Sequence, residues 1–160
     1  MNEISEYLPR HLTPELQDAL ATARVVNLVG PRQVGKTTLV RDLFEQGRFV
    51  TLDDASVLAA MEADPEGQLT SLSEEQPDAP VIIDEAQRSP KLALAIKKIV
   101  DRNRRKGQFL LTGSSNVFTT AEVADSLAGR MQTLKLWPLT TSEVDRLPAS
   151  RLIDWAMQDA

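Results

Sequence analysis

Residues 30–37 read Gly-Pro-Arg-Gln-Val-Gly-Lys-Thr. Two glycines bracketing four residues, followed at once by a lysine and a hydroxyl, form a spacing that can cradle a phosphate chain. Gly30 begins a tight turn. Gly35 reaches φ values closed to other residues, and its missing side chain lets an anion approach the backbone. Successive N–H groups then point inward, and a helix starting near Lys36 adds the positive end of its dipole. Lys36 would place a point charge between β- and γ-phosphates, and the Thr37 hydroxyl would ligate Mg²⁺. The predicted nucleotide-binding set is Gly30, Pro31, Arg32, Gln33, Val34, Gly35, Lys36, Thr37 and Thr38.

A second chemical signal lies at residues 81–85, Val-Ile-Ile-Asp-Glu. An apolar strand there would end in two carboxylates. Asp84 at its carboxyl end can hold Mg²⁺ through water, so Thr37 and Asp84 form the predicted metal set. Glu85 points the other way and is predicted to polarise a water for attack on the γ-phosphate.

Two weaker signals complete the predicted catalytic set of Glu85, Lys36, Ser114 and Arg130. Residues 112–116 (TGSSN) follow an apolar run, and ligands of open α/β sheets sit at the carboxyl ends of strands. Ser114 is therefore a candidate γ-phosphate contact, with Ser115 and Asn116 behind it. Arg130 follows Leu127-Ala128-Gly129, where an arginine can stabilise transition-state charge in its own subunit or a neighbour. Arg88 is a weaker candidate of the same type. Lys97, Lys98, Arg102, Arg104, Arg105 and Lys106 crowd one helix and its end. They read as a solvated face with cations near a helix C-terminus, with nucleic-acid contact the alternative. His11, the single histidine, reads as a surface residue without partners in a region of turns.

The elements that must position these groups follow an α/β alternation. Strands are predicted at 24–29, 49–52, 81–84, 108–112 and 131–136. Helices are predicted at about 36–46, with Gly47 as C-cap, and at 55–63. A further helix runs to about Arg105, with Ser89 as N-cap and Pro90 as first helical residue. Another helix is expected at about 120–127. Residues 64–80 are polar and proline-rich and read as a mobile loop with one helical turn near Leu69 and Leu72. Thr140-x-x-Glu143 is a capping-box pattern. Residues 150–156 hold an amphipathic segment with Leu152, Ile153, Trp155 and Ala156 unpartnered.

At 160 residues the chain fits one domain, and its 42% apolar content supplies a core. There is no cysteine, so disulfides, thiolate zinc sites and cysteine nucleophiles are excluded. A net charge of −5 argues against sequence-blind nucleic-acid binding over the whole surface. The acidic N-terminus has no signal-peptide character, and no apolar run is long enough to span a membrane. The cytoplasm is the expected compartment.

No Asn/Thr-Lys-x-Asp guanine-reading stretch and no LSGGQ-like stretch occurs, so ATP with Mg²⁺ is the expected ligand pair. The runs GPRQVGKTTL (30–39), TLDD (51–54), IIDEAQRSP (82–90), LLTGSSN (110–116), SLAGR (126–130) and LWPLTTSE (136–143), with Tyr7-Leu8-Pro9-Arg10 before them, resemble the prokaryotic AAA-type ATPases of the AAA+ superfamily. The resemblance implies a P-loop three-layer α/β sandwich whose parallel sheet runs 5-1-4-3-2. It also implies a sensor at Ser114 and an arginine finger at Arg130. Residues 1–145 would be the ATPase domain and 146–160 the start of a continuation into the sizeable C-terminal domain usual in that family. The leading expectation is an Mg²⁺-dependent ATPase driving a conformational change. The alternative is a nucleotide-binding switch or nucleic-acid-associated module with negligible turnover alone. A small-molecule kinase is weaker, since no arginine-rich lid segment stands out. A second copy or a protein is the expected macromolecular partner.

Overall fold

Residues 25–29, 81–84 and 109–113 are almost continuously apolar, and a strand without a polar face must be covered on both sides. The computed structural model of the chain describes residues 8–44, 47–114 and 127–149. Its strands are β1 (Val25–Val29), β2 (Arg48–Thr51), β3 (Val81–Asp84), β4 (Phe109–Gly113) and β5 (Met131–Lys135). Its helices are α1 (Thr13–Thr22), α2 (Lys36–Leu43), α3 (Ala55–Ala63), α4 (Pro65–Glu75), α5 (Leu92–Arg102) and the short α6 (Thr141–Val144). The strands pair in the order β2-β3-β4-β1-β5, all parallel, which is the expected arrangement read from its other edge.

Strand alternation divides the core in two. Val25, Val81, Ile83, Phe109 and Leu111 cluster with Met61, Leu69, Leu92, Ile96 and Val100 from α3, α4 and α5. Val26, Leu28, Ile82, Leu110 and Leu134 cluster with Leu16, Leu39 and Val40 from α1 and α2. Because β4 lies between β1 and β3, the carboxyl ends of three strands meet on one edge of the sheet.

The structure corrects several boundaries. The segment read as a loop at 64–80 contains the eleven-residue helix α4. Asp64 closes α3 and caps α4, its carboxylate accepting from Gly67 N–H at 2.9 Å, with Pro65 in the first turn. Leu69 is fully buried, and Glu66 reaches Lys98 and Arg102 on α5. Polar composition hid the helix, whereas the Leu69/Leu72 spacing marked its inner face. Ser89 does not cap α5, which starts at Leu92 and ends at Arg102. The buried Ser89 hydroxyl donates instead to Glu62, and its carbonyl accepts from Leu92 N–H. α2 stops at Leu43 with Phe44 as its C-cap, and Gly47 is not among the positive-φ glycines. α1 has no counterpart in the sequence reading, since its buried face is only Leu16 and Ala19. The capping box at Thr140 and Glu143 is present. Most of the helix expected at 120–127, with Ser115 and Asn116, lies outside the described residues. So does the segment at 150–156.

Asn27 sits in the middle of β1, fully buried, and neither its amide nitrogen nor its oxygen has a hydrogen-bond partner among the described residues. Two stranded polar atoms cost more than the chain gains from them. Asn27→Leu, close in shape and apolar, is expected to raise the unfolding free energy by about 1–3 kcal/mol. Urea unfolding should show a higher midpoint at unchanged slope. A lower midpoint would mean that the amide is satisfied by solvent the side chain recruits.

Candidate functional site

β1 delivers the chain to Gly30, where no side chain fits: a Cβ there would lie 2.2 Å from the Leu136 carbonyl oxygen. The loop then turns through Gln33 at φ 64° and Gly35 at φ 91°, and Gly35 is the N-cap of α2. Both are left-handed conformations, which glycine adopts freely. Val34 offers the cleft no side chain. Its side chain is buried in the α1–α2 core, which anchors the loop from beneath. Pro31, Arg32, Gln33 and Thr38 are exposed around the loop.

A cleft of about 520 Å³ opens above it, lined by Arg32, Gln33, Gly35, Lys36, Thr37, Thr38, Asp53 and Glu85. Lys36 is only 7% exposed and folds back, donating to the Gly30 carbonyl at 2.9 Å and the Pro31 carbonyl at 2.8 Å. Burial pulls its ammonium below the usual lysine value, while the charges of Glu85 and Asp84 oppose the shift. The Thr37 hydroxyl donates to Asp84 Oδ2 at 3.1 Å. Asp84, itself 7% exposed, accepts from Thr112 on its other oxygen. One carboxylate thus joins α2, β3 and β4.

The hydroxyl of Thr37 and the carboxylate of Asp84 are hard oxygen donors, the type that Mg²⁺ takes alongside phosphate oxygens and water. Among the described residues no cluster of three or more metal-ligating side chains exists. These two residues therefore fit an Mg²⁺ that arrives with a polyphosphate, and do not fit an all-protein metal cage.

Glu85 follows Asp84 in a left-handed conformation, φ 56° and ψ 39°, and a 3₁₀ turn over Ala86–Arg88 follows it. The Gln87 amide donates to Glu85 Oε2 and lies 3.5 Å from the Ser114 hydroxyl. Ser114 is therefore beside Glu85, as the topology requires once β4 neighbours β3. Arg88 pairs with Asp53 at 2.7 Å.

Arg130 lies elsewhere. It immediately precedes Met131, which pairs with Val25 at the start of β1, whereas the phosphate loop leaves the other end after Val29. A strand length of roughly 15 Å separates the two edges. Arg130 grips Asp101 at the end of α5 with two hydrogen bonds of 2.6 and 3.0 Å. That contact holds the Asp101 carboxyl below the usual carboxylate range. Arg130 is not among the residues lining the cleft of its own chain. Lys98 and Arg102 of the basic helix are engaged by Glu66, and Arg105 donates to the Ala79 carbonyl.

Arg10 is the residue that motif reading missed. Its guanidinium, 7% exposed, donates to the Val34 carbonyl at 2.7 Å, the Trp137 carbonyl at 2.5 Å and Glu143 Oε1 at 3.1 Å. It thus ties the loop's underside to the segment after β5. Glu143 also accepts from His11 N–H at 2.8 Å and Thr140 N–H at 2.8 Å. His11, expected to be without partners, is half-buried, and its ring Nε2 lies 2.9 Å from the Leu147 carbonyl oxygen. The capping box marked Glu143, but no local pattern connects it to Arg10.

A parallel sheet in this order, with a glycine-rich loop from the interior strand β1 into a helix and an acidic strand end beside it, defines a P-loop nucleotide-binding domain. A family model described as AAA domain matches residues 22–145, and the chain belongs to that family. It is 38% identical over 144 residues to two uncharacterized proteins, Rv2008c of Mycobacterium tuberculosis and Mb2031c of Mycobacterium bovis. Those matches take in 89% of this chain and 32% of each relative, so the chain spans about a third of their length. Among solved structures, the Walker-type ATPase Paby2304 of Pyrococcus abyssi superposes with a TM-score of 0.58 at 17% identity. That alignment covers 97% of this chain and 64% of the other. The replication initiator DnaA bound to AMPPCP and single-stranded DNA superposes at 0.54 with 12% identity, over 98% and 59% of the two chains. At these identities the likeness is one of fold.

Burial raises the Glu143 carboxyl, but the Thr140 and His11 N–H groups and the Arg10 guanidinium outweigh it and hold the group at about 2 against an ordinary 4.5. A carboxyl depressed on folding stabilises the fold above its unfolded value and loses that contribution as pH falls toward the folded one. Stability should therefore drop by on the order of 3 kcal/mol between roughly pH 4.5 and 2 from this group alone. Glu143→Gln should be destabilised at pH 7 and show a flatter acid profile in chemical unfolding. A parallel profile for both proteins would refute the assignment.

Proposed function

We propose that this domain binds MgATP and hydrolyses it by in-line attack of water on the γ-phosphate. The observation that carries the reading is the convergence of Lys36, Thr37 and Glu85 on one cleft at the carboxyl edge of the sheet, with Asp84 hydrogen-bonded to Thr37 behind it. Lys36 would leave the Gly30 and Pro31 carbonyls for the β- and γ-phosphates, and the loop N–H groups would take the remaining charge. Thr37 and Asp84 would hold Mg²⁺, which would supply positive charge to the phosphates. Glu85 would orient and polarise the attacking water, with Ser114 contacting the γ-phosphate. Gly30, Pro31, Arg32, Gln33, Val34, Gly35 and Thr38 complete the nucleotide cradle, Val34 through its backbone alone.

The lack of a guanine-reading motif favours ATP over GTP. Hydrolysis would drive a conformational change in a partner protein or in the further two thirds present in the longer relatives. We assign residues 1–145 to the ATPase module and 146–160 to the link beyond it. A cytoplasmic location would suit an ATP-consuming activity. Among the described residues no helix is long and apolar enough to cross a membrane.

One observation favours a second reading, a nucleotide-binding switch with little turnover alone. Arg130 faces the wrong edge of its own sheet, so the transition-state charge it would stabilise belongs to a neighbouring copy. Nucleic-acid association is less favoured, because three cations of the basic helix region are engaged within the chain.

Two variants test the first reading. Lys36→Ala should abolish saturable MgATP binding in calorimetric titration. Glu85→Gln keeps size but loses the charge that polarises water. Its ATP affinity should hold within a few-fold while single-turnover hydrolysis falls by on the order of 10²-fold. Full hydrolysis by Glu85→Gln would remove the catalytic role. Arg130→Ala should slow hydrolysis only at protein concentrations where the wild type self-associates. An equal loss at all concentrations, including those where light scattering reports a monomer, would contradict action on a neighbour.

A further inference from the structure

Gln87 stands between Glu85 and Ser114. The left-handed backbone at Glu85 and the 3₁₀ turn after it fold the chain back on itself, with Arg88 N–H on the Glu85 carbonyl at 3.0 Å. That turn brings the Gln87 side chain over the Glu85 carboxylate, two residues before it. The amide nitrogen donates to Glu85 Oε2 and reaches the Ser114 hydroxyl at 3.5 Å. An ionised carboxylate only accepts, so the amide cannot present its oxygen there. The consequence is visible at the other end of the amide. Gln87 Oε1 is buried and has no partner among the described residues.

A buried acceptor without a donor is a cost carried by this arrangement, and the bond to the charged carboxylate offsets it. The two terms oppose each other within one side chain, so a small change at either end tips it. The ends are the two groups a γ-phosphate would engage. Ser114 sits at the carboxyl end of β4, and Glu85 borders the cleft. A phosphate oxygen that takes the Ser114 hydroxyl also offers a competing acceptor for the Gln87 amide.

We propose that Gln87 is a positioning residue, a latch that holds the Glu85 carboxylate against the end of β4 and releases it when Ser114 engages the γ-phosphate. The proposal rests on the hydrolytic reading above. It adds the device by which the site tells a triphosphate from a diphosphate before committing Glu85 to water. A latch restrains the base, so its removal speeds the reaction. A residue that merely orients the base would slow it when removed.

The test uses the whole 160-residue chain and MgATP, with binding measured by calorimetry and hydrolysis by single-turnover phosphate release. Gln87→Met keeps the length of the side chain and removes both the donor and the stranded oxygen. Its single-turnover rate should rise by roughly tenfold to a hundredfold, the size of one hydrogen bond to a charged group, with ATP affinity unchanged. The gain should vanish in the Glu85→Gln background. Ser114→Ala alone should slow hydrolysis, and adding Gln87→Met should restore part of the loss. A slower Gln87→Met enzyme, an unchanged one, or no turnover in either protein overturns the latch. Strictly additive effects of Gln87→Met and Ser114→Ala overturn the coupling between them. Failure of the hydrolytic reading shows separately, as a Glu85→Gln protein that turns over like wild type. A thermal unfolding midpoint at or above that of the wild type verifies that Gln87→Met folds.

Discussion

Asp84 is the joint on which the cleft depends. Its carboxylate is almost fully removed from water, and a charge so placed needs donors on every side. Thr37 supplies one from the first turn of α2 and Thr112 another from β4. Each hydroxyl thereby fixes its own element relative to β3. The helix that follows the phosphate loop and the strand that leads to Ser114 are held to one point. Without β4 inserted between β1 and β3, Thr112 would not lie beside Asp84, and the two halves of the site would not share an edge.

The loop is held from below by a second buried charge. Arg10 spends its guanidinium on two carbonyls and one carboxylate, and one of those carbonyls belongs to Val34. With its outward side chain in the core and its carbonyl tied down, Val34 cannot rotate without breaking both. A loop fixed in this way is the condition for binding an anion without reorganising the backbone. Glu143 completes this arrangement by serving at once as a capping-box residue and as the counter-charge to Arg10. Breaking it would leave the guanidinium buried and unpaired, a larger loss than a surface ion pair represents.

The same geometry explains why the two arginine candidates part company. Parallel strands send all their carboxyl ends to one edge, so a residue entering β5 is on the opposite edge from a loop leaving β1. Arg130 is a candidate by its neighbours in sequence, and its place before β5 sets it at the edge of the sheet away from the cleft. In this chain it straps α5 to β5 through Asp101, beside Arg24.

What the sequence determined by itself was local. The phosphate loop is eight consecutive residues, and its chemistry follows from side-chain types and glycine freedom alone. β1, β3 and β4 announce themselves as apolar runs because both faces are covered, and α3 and the capping box carry their own caps. The strand order came with the family resemblance and not from any spacing. Tertiary structure decided the rest, because the groups concerned are far apart in the chain. Arg10 and Glu143 are 133 positions apart, and Gln87 and Ser114 are 27. No periodicity links such pairs, and each becomes meaningful only when burial strips water from it. α4 was missed for a related reason: its polar residues are satisfied by Asp64 and by cations on α5, partners that composition cannot count. Burial makes an unpaired polar group costly, so the fold chooses partners by proximity in space, where the sequence records only proximity along the chain.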